Sequence, residues 1–183
     1  MRVKIAAVAM ILIAITATLG ASAYTTGSVT RSSNVNVVSD DVGLIALSDG
    51  TSGGLVTQNS TGALAIDFTA GSANGVNTAA HFELGNPSDP TNQSAFNLSN
   101  LDTESHDLTV KYTGAGGTSD ADANIKFQIY DSTGAQVGTV SEESTSTTIT
   151  SAGSGSTYYV VIVVDTHGLD NTSDLSGTLE VSA

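Results

Sequence analysis

Along most of this chain, apolar and polar residues alternate in short runs separated by clusters of Gly, Ser, Asn and Asp. A two-residue period sends successive side chains to opposite faces of an extended backbone, so the pattern predicts strands and turns. In the first half the runs are 29–37, with Val35 and Val37 opposite Asn34 and Asn36, and 43–47, stopped by the turn dipeptide Asp49-Gly50. Next come 63–69, with Leu64, Ile66 and Phe68 on one side, and 78–84, with Phe82 and Leu84. The second half is clearer. Phe96 and Leu98 point one way in 94–101, 108–112 and 125–130 alternate cleanly, and 131–134 reads as a β-turn into a partner strand at 135–140. A Thr/Ser strand surrounds Ile149, and 176–181 carries Leu179 and Val181. The unbroken apolar run 158–164 fits a central strand covered on both faces. Gly53-Gly54 and 151–156 are expected as exposed turns. No stretch holds a helical period, so the expectation is an all-β sandwich or barrel of about 8–11 strands in one domain.

The opening of the chain has a different logic. Arg2 and Lys4 precede an apolar run at 5–19, which ends in Gly20-Ala21-Ser22-Ala23 before Tyr24. A basic end, an apolar middle and a small-x-small site make up a secretory signal, with cleavage expected after Ala23. The competing reading is an uncut membrane anchor, for which the run is short against the roughly 20 apolar residues of a span. The expected divisions are a signal peptide at 1–23, an N-terminal strand at 24–38 and a sandwich at 39–183.

Charge narrows the function. Two of the five basic residues lie in the leader and all 18 acidic residues lie beyond it, so the remainder carries 3 − 18 = −15. Such a chain repels phosphate backbones and anionic lipid, which argues against nucleic-acid partners and membrane adsorption. It suits a protein kept soluble in concentrated salt, where the Debye length falls to about 3 Å near 1 M; an ordinary acidic extracellular protein is the alternative. There is no cysteine, so neither disulfides nor a thiolate contributes, and about 160 residues suffice for a core without them.

Candidate chemistry is sparse. His81, His106 and His167 lack metal-ligand spacing, no Ser sits in a Gly-x-Ser-x-Gly elbow, and Gly114-Ala115-Gly116-Gly117 lacks the Lys-Ser/Thr of a phosphate loop. Asp120-Ala121-Asp122-Ala123-Asn124 sets oxygen groups at alternate positions, making Asp120 and Asp122 candidate calcium ligands, against the plainer reading of an acidic solvated loop. No other cofactor is expected. Asn59, Asn92, Asn97 and Asn171 each begin an Asn-x-Ser/Thr acceptor, usable on an exported protein.

Three segments carry a resemblance: 21–25 leading into 29–38; Phe96-Asn97-Leu98-Ser99-Asn100 before Asp107-Leu108-Thr109-Val110-Lys111-Tyr112; and 159–165 with Leu175-Ser176-Gly177-Thr178-Leu179. In this pattern the chain resembles the TasA/camelysin-like exported filament proteins, which include the archaeal bundling pilins and related acidic surface proteins of halophilic archaea. The resemblance implies a jelly-roll or immunoglobulin-like β-sandwich, and polymerisation by donor-strand exchange. Val29, Val35 and Val37 would be the side chains filling a neighbour's groove; the same segment is equally readable as strand one of its own sandwich. The resulting expectation is a non-enzymatic, extracellular filament or surface-matrix subunit whose partner is another copy, with other surface glycoproteins as further partners. The alternatives are a monomeric cell-surface module binding glycan or calcium, and a hydrolase whose site forms only in three dimensions.

Overall fold

The computed structural model describes residues 37–70, 72, 74–114 and 124–183. The leader at 1–23, Val29 and Val35, and the calcium candidates Asp120 and Asp122 lie outside the described residues. Residues from Val37 to Ala183 form one compact unit.

The described chain is nearly all β. A short 3-10 turn, Asp40–Val42, is followed by β1 (Ile45–Asp49), β2 (Val56–Gln58), β3 (Leu64–Ile66), β4 (His81–Leu84), β5 (Phe96–Asn100), β6 (His106–Gly114), β7 (Ile125–Tyr130), β8 (Gln136–Ser141), β9 (Ser146–Ala152), β10 (Thr157–Asp165) and β11 (Gly177–Ser182). The larger sheet runs β1-β5-β10-β7-β8, and β4 also pairs with β10. β5 and β4 share one edge of β10, the former opposite 157–160 and the latter opposite 162–165. The second sheet runs β11-β6-β9, and β2-β3 is a separate hairpin. Every pairing is antiparallel.

Alternation drives the packing, which is sandwich-like. Phe96 and Leu98 of β5, Phe127 and Ile129 of β7 and Val160, Ile162 and Val164 of β10 join Leu108, Val110 and Tyr112 of β6 in one buried core. Each large side chain so buried contributes roughly 1.5–3 kcal/mol. The intervening residues of β10 face the other way, and Val161 and Val163 form a second cluster with Tyr130 and Tyr159. The backbone of Gly85 lies against Val161, where an added Cβ would come within 3.0 Å of Cγ2. The continuous apolar run is thus a central strand buried on both faces, as its sequence predicts. Asn100, fully buried, ties the sheets together: its Nδ2 donates to the carbonyls of Glu104 and Ala152, both at 2.8 Å, and its Oδ1 accepts from the Asp102 amide.

Several local expectations need correction. The run 63–69 contains only the three residues of β3, because Asp67 begins a turn in which its Oδ1 accepts from the Thr69 amide and hydroxyl. Gly50 is not simply a turn residue. Its amide still bonds the Ala95 carbonyl, and a Cβ there would sit 2.2 Å from the Ser94 carbonyl oxygen, so close strand approach demands glycine. The segment 151–156 is not wholly exposed, since Ala152 ends β9 fully buried beneath the Asn100 contact.

Candidate functional site: an apolar cleft with an acidic rim

The core is closed on one side and open on the other. β8 and β9 join the two sheets at a corner through the turn in which the Ser141 amide bonds the Ser144 carbonyl. On the opposite side the apolar residues are only half buried: Leu47, Leu64, Ile66, Phe68, Val76, Leu175, Leu179 and Val181 pack against the core without being covered. There a cleft of about 830 Å³ runs between the sheets, floored by Ile125, Phe127 and Val164 and walled by Tyr112 and Leu179 on one side and the β3 hairpin on the other. That volume lies within the range of binding pockets, roughly 300–1,000 Å³.

The strand beside the cleft has a free edge. β11 pairs only with β6, and among the described residues no backbone hydrogen bond reaches its other side. The corresponding edge of the large sheet is partly blocked, because the Gln58 side chain donates to the Leu47 carbonyl of β1 at 2.8 Å. Tyr112 fixes the wall position of β11. Its hydroxyl donates to the Leu175 carbonyl at 2.8 Å, and its ring lies 5.0 Å from that of Phe127. Burial, followed by the nearby charges of Glu142 and Asp174, pushes the phenol up to about 12.

Short polar turns build the rim. Thr166 at the end of β10 donates to the Asn77 carbonyl and accepts from the Ala80 amide, pinning the 74–80 loop to the cleft. Asp40, Asp67, Asp170 and Asp174 all line the opening, and among the described residues no Lys, Arg or His does. Asp40 bonds the Leu64 amide through Oδ2, and the Asp170 Oδ1 accepts from the Thr172 amide and hydroxyl. The carboxyls of Asp67, Asp170 and Asp174 are held below the usual range, chiefly by the hydroxyls of Thr69, Thr172 and Ser176. These three carboxylates therefore stay negative into mild acid. Chemically the cleft offers an apolar floor, an unpaired strand edge and anionic lips: a place for an extended, partly cationic segment.

No protein-family model and no curated protein matches this chain.

The structure separates the acceptor asparagines. Asn59 and Asn171 are exposed in turns, and Asn171 stands on the cleft rim. Asn92 is exposed but its Nδ2 is tied to Asp89, and the Ser94 that completes its motif is buried. Asn97 is half-buried on β5, between β1 and β10, with its Oδ1 accepting from the Ser94 hydroxyl. Val37, of the donor trio, is 99% exposed.

Two of the three histidines meet at one carboxylate. Asp165 Oδ1 lies 2.6 Å from His167 Nδ1, and its Oδ2 lies 3.8 Å from His81 Nδ1. His106 pairs separately with Asp102 at 2.6 Å. Among the described residues no group of three or more His, Asp or Glu is placed to hold a metal. None of their helices is long and apolar enough to cross a membrane. The acidic groups at 40–41 and 165–174 are visible in the sequence as oxygen-rich clusters, but their assembly with Asp67 into one rim is not. Their signal is the recurring Asp-x-Thr/Ser of 67–69, 170–172 and 174–176, in which the acid clamps its own turn.

Proposed function

We propose that this chain is an exported, non-enzymatic structural subunit of an extracellular filament or surface matrix, polymerising as each copy lends residues 24–38 to the cleft of the next. The supporting observation is the unpaired edge of β11 beside a half-open apolar core. A strand added there pairs the free N–H and C=O groups and covers apolar surface that otherwise faces water. It would also lengthen the short β11-β6-β9 sheet and complete a jelly-roll or immunoglobulin-like sandwich. Cleavage after Ala23 frees the donor, and Val29, Val35 and Val37 supply its apolar face. Insertion of identical subunits head to tail does not close, so the product is a filament.

Electron microscopy of two purified forms tests this. The chain beginning at Tyr24 should give fibres, and the chain beginning at Ser39 should stay monomeric. Normal fibres from the shorter form would refute the reading. Monomers from the longer form, bound instead to glycan or calcium, would favour a binding module.

A further inference from the structure

We propose that Arg31 is the recognition residue of the assembly, docking on the acidic rim of a second copy's cleft; this rests on the filament reading above. Beyond Ala23 the chain has three cations, Arg31, Lys111 and Lys126. Lys111 is on β6 and Lys126 on β7, and neither lines the cleft. The one remaining cation therefore lies in the segment proposed to dock.

Its position in that segment matters more than its charge alone. Counting by twos, Val29, Arg31, Ser33, Val35 and Val37 share one face of an extended strand, opposite Thr30, Ser32, Asn34 and Asn36. A strand that turns its valines into the cleft turns Arg31 inward too. A guanidinium facing an apolar floor needs a carboxylate partner, and the aliphatic stem can lie on the floor while the head reaches the lip. Arg31 falls about 13 Å along the strand from Val35, so the valines and the cation contact different stretches of the cleft.

The lips are prepared for it. Asp67 and Asp170 each use Oδ1 in their own turn, and Oδ2 has no hydrogen bond to any described residue. The carboxylates are thus oriented beforehand and keep an acceptor for a forked donor. Docking an uncharged strand would leave four like charges around one opening. Arg31 relieves that repulsion, which selects this segment over the acidic remainder of the chain.

The occupant is a second copy because the exit of the donor segment is an apolar surface. Of seven exposed large apolar side chains among the described residues, Val37, Val38, Val42 and Leu44 fall within eight residues of one another at the start of the described body. A filament junction would cover them.

The test uses charge reversal in the chain starting at Tyr24. R31Q should assemble about tenfold more slowly than wild type at 0.1 M salt, with the ratio shrinking toward one at 1 M, where the Debye length drops from about 10 to 3 Å. R31E alone and D170K/D174K alone should fail to form fibres, whereas an equimolar mixture should recover them. In the mixture every junction regains one cation against acids or one acid against lysines. D170N/D174N, which keeps the turn acceptors, should be as slow as R31Q while melting like wild type. If R31Q assembles at the wild-type rate at low salt, the Arg31 assignment is wrong and the filament reading stands. If only R31E/D170K/D174K in one chain recovers, the segment docks on its own body and the intermolecular lock is overturned.

Discussion

Gly177 offers a direct check on the cleft wall. A Cβ at this first residue of β11 would lie 2.4 Å from the Tyr112 hydroxyl oxygen, 2.5 Å from its Cζ and 2.6 Å from the Thr113 carbonyl oxygen. Ordinary contacts are about 3.5–4.0 Å, so the overlap is on the order of 1 Å. Tyr112 cannot easily yield, because it is 3% exposed, packs on Phe127 and is anchored to the Leu175 carbonyl. Overpacking of this kind costs about 1–3 kcal/mol, and loss of the tyrosine hydrogen bond adds roughly 0.5–1.5 kcal/mol. Gly177→Ala should therefore lose about 2–4 kcal/mol, a large share of the roughly 5–15 kcal/mol that holds a domain together. Urea unfolding followed by circular dichroism and tyrosine fluorescence reads this as a lower midpoint at similar slope. Gly54→Ala is the control: nothing lies within 4 Å of its Cβ position, so the change should stay within about 0.5 kcal/mol. In a Tyr112→Ala background the Gly177→Ala loss should shrink by more than about 1 kcal/mol. A Gly177→Ala midpoint indistinguishable from that of Gly54→Ala would refute the proposed contact, and with it the placement of β11 as the cleft wall.

Tyr112→Phe should cost about 1 kcal/mol near neutral pH, through loss of its hydrogen bond to Leu175. It should also change the alkaline limb. The folded phenol titrates at about 12 and the unfolded one near 10, so the folded state binds more protons between them. Stability is then fully present below about pH 10 and falls as pH rises toward 12; the variant, followed by melting from pH 8 to 12, should fall less steeply, and an unchanged slope would sink the assignment. Phe127→Ala removes a ring that is 2% exposed between the sheets and should cost about 3–5 kcal/mol in the same urea assay. A loss below about 1 kcal/mol would mean the sheets do not pack there. On protein from its native source, glycopeptide mass spectrometry should find more occupancy at exposed Asn59 and Asn171 than at Asn97, whose side chain is bonded on an interior strand. Higher occupancy at Asn97 would contradict the exposure argument.

Local order was plain in the residues, and global arrangement was not. The period of two marked β5, β6, β7 and β11 and their inward faces, because alternation is a property of neighbours along one chain, and an unbroken apolar run marked β10. The turn at 131–134 was equally legible: Asp131 Oδ1 takes the Thr133 amide and hydroxyl without outside help. β2 escaped notice because Val56-Thr57-Gln58 holds a single apolar residue, buried only once the chain has folded around it. Asp49-Gly50 looked like a turn, yet the glycine answers to the distant backbone of Ser94 and Ala95.

The cleft belongs to the tertiary structure alone. Its floor comes from β7 and β10, its wall from β6 and β11 and its lips from turns more than a hundred residues apart in sequence. No local pattern says which strand stands at a sheet edge. Pairing partners are chosen over the whole chain, by which faces can be buried together. The amino-acid order settled that this is an acidic, all-β chain and where most of its strands lie. The fold decided that, among the described residues, β11 ends its sheet with one side unpaired, leaving the core open beside it, since three strands cannot cover the inner face of six.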